Sequence, residues 1–446
     1  MKTAGWLIVL ASQVLIIVGF WAWNHVNHPL GNLLTGDSVG QLLAWGRLAG
    51  LLAAFGALLQ LILVGRVKWV ERVFGLDRLT RLHGIIGFSL IVFLLAHPLL
   101  VTAGHALQAG TGRWEQFLDF CRSWRGVLAA TVAFVLMVAA IGLSIAILRR
   151  RMRYETWYAT HLTFYIAIAL AFLHQVAVGS DFTDNRWFAA YWYALYAFVF
   201  GNLIVYRVLR PLAAYARHRF TVTRLVPEAS DVTSVYIEGR RMAAFPVEGG
   251  QFMIVRFLAP GFRWEAHPFS MSRRPDGQQV RLTIKALGDF TRRIPDLKPG
   301  TPVLIDGPHG IFTARRCQSP KVLLIAGGIG ITPIRAMAED LLTAGRDVIL
   351  IYGNRNRTSV VFKNELDDMA SAASGRLRVV HVMSDDPQWD GEKGRVDRDR
   401  IARLVPDVRE REVYLCGPPV MMKIVRSALA ALGVSRSRLH YERFAL

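Results

Sequence analysis

Apolar residues dominate the first half of the chain in six runs, at residues 5–23, 40–64, 82–104, 125–148, 156–178 and 187–208. A bilayer is crossed by roughly 20 apolar residues in a helix, so each run predicts a membrane span. After Pro211 the pattern changes. Short alternating runs (FTVTRLV, VTSVYIEG, QFMIVRF, VRLTIKAL, TPVLIDG) are separated by Gly, Pro and Asp. They predict a small antiparallel barrel over residues 213–315. From residue 316 the pattern changes again. Apolar strands VLLIAGG, VILIYGN, LRVVHVMS and VYLCGPP alternate with helical stretches at 332–344, 362–371, 397–404 and 419–432, which predicts a parallel α/β domain. The expected chain is thus a six-helix transmembrane bundle over 1–212, a β-barrel over 213–315 and a Rossmann-like domain over 316–446.

Charge sets a topology on this pattern. The 446 residues are 53% hydrophobic with net charge +20, and mean hydropathy is +0.31. Basic residues cluster beside the apolar runs, in 65–81 and 149–154, whereas 24–38, 105–124 and 179–186 hold few Lys or Arg. Placement beside membrane spans argues for lipid rather than nucleic acid as the basic residues' partner. The positive-inside rule puts both termini and the C-terminal half in the cytoplasm of a multi-pass plasma-membrane protein. Run one ends in Trp21 and Trp23 rather than a small-residue cleavage site, which favours a retained span over a signal peptide. The three cysteines, Cys121, Cys317 and Cys416, form no CxxC and no CxxCH, which excludes a four-thiolate iron–sulfur site and covalent haem attachment.

Four of the twelve histidines fall inside the apolar runs: His83 and His97 in the third, His161 and His174 in the fifth. An ionisable group in hydrocarbon is expensive and normally has a partner and a function. Neutral imidazole is an axial haem ligand. At 1.5 Å per residue the two intervals span about 21 and 20 Å, so parallel helices place His83 level with His161 and His97 level with His174. Topology makes these two spans parallel by an independent argument. Two stacked b-type haems fit, each held by two histidines. Rotation is the difficulty: thirteen residues leave roughly 140° between His161 and His174. That helix is expected to bend, tighten or swing its imidazoles, and Pro98 to kink the other. Isolated packing histidines are the plainer reading of any one of them. Arg47, near the outer end of run two, suits a haem propionate, with a snorkelling arginine as the alternative. His25 and His28 could bind a metal at i, i+3; interfacial polar residues are the simpler reading.

In the second half, LLIAGGIGITPIRAMAEDLL ends a strand in Gly327, Gly328 and Gly330. Thr332 as N-cap and Pro333 in the first helical position then open a helix whose N-terminus suits a pyrophosphate. The third glycine of G-x-G-x-x-G is replaced by Pro333.

HPFSMS (267–272), VLIDGPHGIF (303–312), AGGIGITP (326–333), YGNR (352–355) and YLCGPP (414–419), in this order, resemble the ferredoxin–NADP reductase type of flavin dehydrogenase. Behind six helices with two histidine pairs, the whole chain resembles the ferric reductase and NADPH oxidase superfamily, and its length a prokaryotic member. The resemblance implies FAD, two haem b and NADPH or NADH as cofactors. It implies FAD contacts from His267, Pro268, Phe269 and Ser270, continued by Lys285, Gly288 and Thr291, with Gly307, Pro308 and Gly310 between flavin and nicotinamide. It implies coenzyme contacts from Gly327, Gly328, Gly330 and Thr332, and a nicotinamide held by Cys416, Gly417 and Pro418. Glu442 and Phe444 fit E-x-F, with Phe444 stacked on the flavin, although Ala445 and Leu446 extend past the aromatic. Arg47 resembles an arginine beside the outer haem. Arg355 and Arg357 suit a 2′-phosphate, which leans the coenzyme to NADPH. The implied function is transmembrane electron transfer from cytoplasmic NAD(P)H through FAD and the haems to an outside acceptor. Oxygen, giving superoxide, is favoured over a ferric chelate; the alternative class is a donor to a partner protein or quinone.

Overall fold

The computed structural model describes residues 2–26, 37–144 and 154–443. The basic stretch 149–153, His28 and the terminal Phe444, Ala445 and Leu446 lie outside the described residues. The described chain forms two compact units, residues 1–74 with 78–205, and residues 75–77 with 206–446.

Among the described residues, six helices are long and apolar enough to cross a membrane. They are α1 (Lys2–Val26), α2 (Ser38–Val64), α4 (Leu76–Ala109), α6 (Val127–Ser144), α7 (Tyr154–Val178) and α8 (Arg186–Leu203), the last continuing helically to His218. The segments expected as bare loops carry structure. The basic segment contains α3 (Lys68–Phe74), and the stretch after α4 contains the amphipathic α5 (Arg113–Ser123). Because α1 and α4 outrun their apolar runs, His25 and His105 are helical residues rather than loop residues. α4 remains one helix through Pro98.

Two-thirds of the apolar window of α2 is buried, the most of any span. Glycines bring α4 against it. A Cβ on Gly46 would meet Val101, one on Gly50 would meet His97, and one on Gly56 would meet Leu90. These contacts rise along one helix as they fall along the other, so α2 and α4 are antiparallel. α7 packs on α6 in the same sense: Gly126, at the head of α6, abuts the His174 backbone, and Ser144, at its end, meets His161.

The second unit begins with two three-stranded antiparallel sheets. One is ordered β1 (Thr221–Ala229), β2 (Val232–Glu238), β5 (Gln279–Lys285); the other β4 (His267–Ser270), β3 (Phe252–Phe257), β6 (Val303–His309). Bridges at Thr221–Pro302 and Met271–Leu282 join their edges. β4 was not legible as a strand, because four residues containing Pro268 show no alternation; its pairing to β3 on one side only tolerates the proline. Inward residues of both sheets, among them Val235, Ile237, Val255, Phe257, Leu282 and Ile305, share one apolar core.

The C-terminal sheet is parallel, in the order β10 (Glu392–Lys393), β9 (Leu377–Met383), β8 (Asp347–Asn354), β7 (Lys321–Gly327), β11 (Glu412–Cys416), β12 (Leu439–Glu442). Its helices are α10 (Ile331–Thr343), α11 (Lys363–Ala372), α12 (Arg398–Leu404) and α13 (Pro419–Ala431), with α9 (Arg210–His218) preceding the first sheet. Strand residues alternate between two cores, as a sheet covered on both faces requires. Val322, Leu324 and Ala326 pack with α10 and α11, whereas Leu323 and Ile325 pack with α12 and α13. The chain steps outward from β7 to β8 and β9, then returns to place β11 on the other side of β7. The strand order therefore reverses between β7 and β11, where open α/β sheets bind ligands.

Candidate functional site

The four membrane histidines meet as two pairs. The ring centres of His83 and His161 are 5.9 Å apart at 72°. Those of His97 and His174 are 6.1 Å apart at 41°. The like order of the pairs makes α4 and α7 parallel. The helix of α7 is unbroken from Tyr154 to Val178, so no break absorbs the rotational mismatch, and the pairs differ instead in ring orientation.

One ring of each pair is held by its outer nitrogen. His97 Nδ1–H donates to the Gly46 carbonyl at 2.8 Å. His161 Nδ1 lies 3.1 Å from Ser144 Oγ. That hydroxyl donates its one hydrogen to the Ala140 carbonyl at 2.6 Å, so it accepts from His161. Trp157 stacks on His161 with centres 5.3 Å apart. Both tautomers therefore leave Nε2 with a lone pair, the arrangement of a metal-bound histidine fixed from behind. In the partner rings, His83 and His174, the buried Nδ1 makes no hydrogen bond of good geometry to a described residue. An imidazole nitrogen ligates at about 2.0 Å and its ring centre lies about 1.1 Å further on, so two imidazoles across one metal ion have centres about 6.2 Å apart. The observed 5.9 and 6.1 Å fit one six-coordinate haem iron between each pair.

Gly46 and Gly50, which the histidine reading missed, are legible as a G-x-x-x-G spacing in GRLAG, the pattern that lets membrane helices approach closely. Arg47 sits between them, at the level of the His97 pair, and lies within electrostatic reach of His105. His105 packs edge-on against Phe120 and Trp124. His25 is buried and bonded to the Trp21 carbonyl, a structural contact.

In the second unit, β3 lies between the two expected flavin segments. Phe252 pairs with Ser270 on one side and His309 on the other. His267 stacks on Phe290 at 4.1 Å and bonds Glu265 at 3.2 Å. This brings Gly288 and Thr291, which flank Phe290, to the HPFS strand. Pro268 is exposed, Phe269 half-buried and Ser270 buried. Thr291 accepts the N–H groups of Leu287 and Gly288, each at 2.9 Å, and Lys285 pairs with Asp231 at 3.3 Å. Gly307 is pressed against Met253; Gly310, at φ +93°, lies against Phe252, and Pro308 stands between them in β6.

At the switch point backbones touch. A Cβ on Gly330 would collide with the Cys416 carbonyl and the Gly417 nitrogen, and one on Gly327 with Pro418 and Met421. Gly328, at φ +51°, faces open space. Two expectations are corrected here. Gly328–Gly330 forms a tight turn leading straight into α10, so the helix starts at Ile331 with Gly330 as its cap. Thr332 is inside the helix and donates to the Ile329 carbonyl, instead of capping. Cys416 turns its thiol into the core under α10, where burial pushes its pKa up. Only the backbone of Cys416–Gly417 reaches the glycine turn. Arg355 and Arg357 follow β8, and each is paired to an aspartate.

Charge ties the β1–β2–β5 sheet to the helices that cover the C-terminal sheet. Arg281 of β5 and Arg335 of α10 share the Glu365 carboxylate of α11, at 2.7 and 2.6 Å. Burial opposes the charge on Glu365, but the two guanidiniums outweigh it and hold the carboxyl below its usual pKa.

Comparison with known proteins agrees with this layout. A ferric reductase like transmembrane component is matched over residues 49–172, an FAD-binding domain over 217–312 and an oxidoreductase NAD-binding domain over 324–427. The chain therefore has a ferric reductase/NADPH oxidase-like architecture, an apolar helical domain ahead of a ferredoxin–NADP reductase type pair. It is 32% identical over 234 residues to the stachydrine N-demethylase reductase subunit Stc4 of Rhizobium meliloti (strain 1021), covering 50% of this chain and 65% of that protein. It is 30% identical over 228 residues to an NADPH oxidoreductase of Mycobacterium tuberculosis (strain ATCC 25618 / H37Rv), covering 49% and 58%. The chain thus spans less than two-thirds of these relatives' length. Among solved structures, ferredoxin reductase in carbazole 1,9a-dioxygenase is 26% identical with a TM-score of 0.45, over 51% of this chain and 68% of that one.

Proposed function

We propose that this chain moves electrons from cytoplasmic NAD(P)H across the plasma membrane, with FAD and two b-type haems as carriers, to oxygen outside, giving superoxide. The observation that carries this reading is the pair of facing imidazoles at each of two levels, with separations that suit iron. When bound, FAD converts a two-electron hydride into single electrons and haem iron carries them one at a time.

The chain's own residues do the rest. His83 with His161 would hold the inner iron, and His97 with His174 the outer. Ser144 and the Gly46 carbonyl fix the tautomers of His161 and His97. With two imidazoles committed to each iron, an acceptor would be reduced without binding the metal. Arg47 supplies positive charge, and His105 a hydrogen-bond donor, for an acceptor that gains negative charge. His267–Ser270, Lys285, Gly288, Thr291 and Gly307–Gly310 cradle the flavin, within a domain spanning 213–315. Gly327, Gly328, Gly330, Thr332 and the Cys416–Pro418 backbone seat the coenzyme, within 316–446. Outward electron flow is favoured by roughly 2.3 kcal/mol per 100 mV in a cell negative inside.

Purified protein in detergent, given NADH or NADPH, tests this. Cytochrome c reduction sensitive to superoxide dismutase is expected, and His97→Ala should abolish it while flavin reduction persists. Faster turnover with a ferric chelate than with oxygen assigns a reductase instead. Turnover with neither, despite flavin reduction, assigns a partner protein or quinone.

A further inference from the structure

The coenzyme reading leaves open which nicotinamide dinucleotide is used, and the loops after β8 and β9 bear on it. In a β–α–β dinucleotide site the end of the second strand reads the adenosine ribose. A carboxylate there accepts from the 2′-hydroxyl of NADH, whereas an unpaired arginine takes the 2′-phosphate of NADPH. Here that strand is β8, ending at Asn354, and Arg355 and Arg357 follow at once.

Neither arginine is uncommitted. Arg355 Nε lies 3.0 Å from Asp385. Arg357 pairs through Nε with Asp386 at 3.3 Å, donates its backbone N–H to the same carboxylate at 3.0 Å, and bonds Gln388 at 2.6 Å. The backbone fixes this arrangement: Ser384 N–H donates to the Asn354 carbonyl and Asp385 N–H to that of Arg355, continuing the β8–β9 pairing past its end. Asp386 is nearly buried, with its side chain 8% exposed, while Asp385 is open to solvent. In a chain of net charge +20, residues 385–392 hold four carboxylates, Asp385, Asp386, Asp390 and Glu392. A phosphate dianion entering this loop would face aspartates already neutralising both arginines. A ribose hydroxyl would find an acceptor.

Resting on the NAD(P)H reading above, we infer that Asp385, supported by Asp386, makes NADH the preferred coenzyme by neutralising Arg355 and Arg357 and accepting from the ribose. This reverses the preference that the two arginines suggest in the sequence.

The test is anaerobic flavin reduction and steady-state kcat/KM for each coenzyme with the full-length protein in detergent, using ferricyanide as acceptor. The wild type should favour NADH on the order of tenfold or more, and Asp385→Asn should shift the NADPH/NADH ratio of kcat/KM upward by on the order of tenfold. Arg355→Ala should not lower that ratio. Wild-type preference for NADPH, an unmoved ratio in Asp385→Asn, or selective loss of NADPH use in Arg355→Ala overturns the inference while leaving the parent reading intact. Flavin reduction by neither coenzyme overturns both.

Discussion

Replacing Gly50 with alanine tests the outer histidine pair without touching a ligand. The added Cβ would lie 2.5 Å from His97 Nδ1 and 2.8 Å from Cε1, whereas ordinary contact begins at 3.4 Å. The ring must therefore retreat by about 1 Å, the difference between ordinary contact and 2.5 Å. That movement breaks the 2.8 Å bond to Gly46. Overpacking of this kind costs about 1–3 kcal/mol. Loss of the bond orienting a ligand lowers metal affinity about 10–100-fold, which is the same range of energy. Haem content of the purified variant, by pyridine haemochromogen per chain, should fall from two toward one. The low-spin EPR signal of one haem should shift or vanish. Gly142→Ala, in α6 with nothing within 4 Å of its added Cβ, is the control and should keep both haems. A Gly50→Ala protein with two haems and unchanged spectra would refute the assignment of His97.

Two further outcomes follow from the second unit. Glu365→Gln leaves Arg281 and Arg335 without their shared carboxylate; because Glu365 is about a third exposed, the cost is about 1–3 kcal/mol rather than that of a fully buried pair. It should appear as a lower melting temperature by flavin fluorescence, partly rescued by Glu365→Asp. Hydrogen bonding from Arg403 and Arg400 lowers Glu392 to about 2. Its contribution is complete above the unfolded carboxylate pKa near 4.5 and is lost as pH falls through 2. The pH dependence of stability between these values should flatten in Glu392→Gln, and an unaltered dependence would show that the pairing is energetically silent.

The spans were legible as unbroken apolar runs, and the strand–helix alternation as a change of period. The four histidines stood out because polar groups in apolar runs are rare. What escaped the reading depends on contacts that periodicity does not encode. The strand at His267–Ser270 forms because β3 offers an edge. The cap of α10 falls on Gly330 because the tight turn at Gly328–Gly330, opened by Gly328 at φ +51°, delivers the chain into the helix there. Cys416 is buried because its strand position faces α10. Arg355 pointed to NADPH until Asp385, 30 residues away, was found beside it. His105 looked like a loop residue because α4 runs one turn beyond its apolar run.

The most direct measurement is the cofactor stoichiometry of the folded, purified chain, taken as haem b and FAD per polypeptide together with a reduced-minus-oxidised spectrum. Two six-coordinate low-spin b haems and one FAD per chain are expected. A folded, flavin-loaded chain with one haem or none would contradict the account.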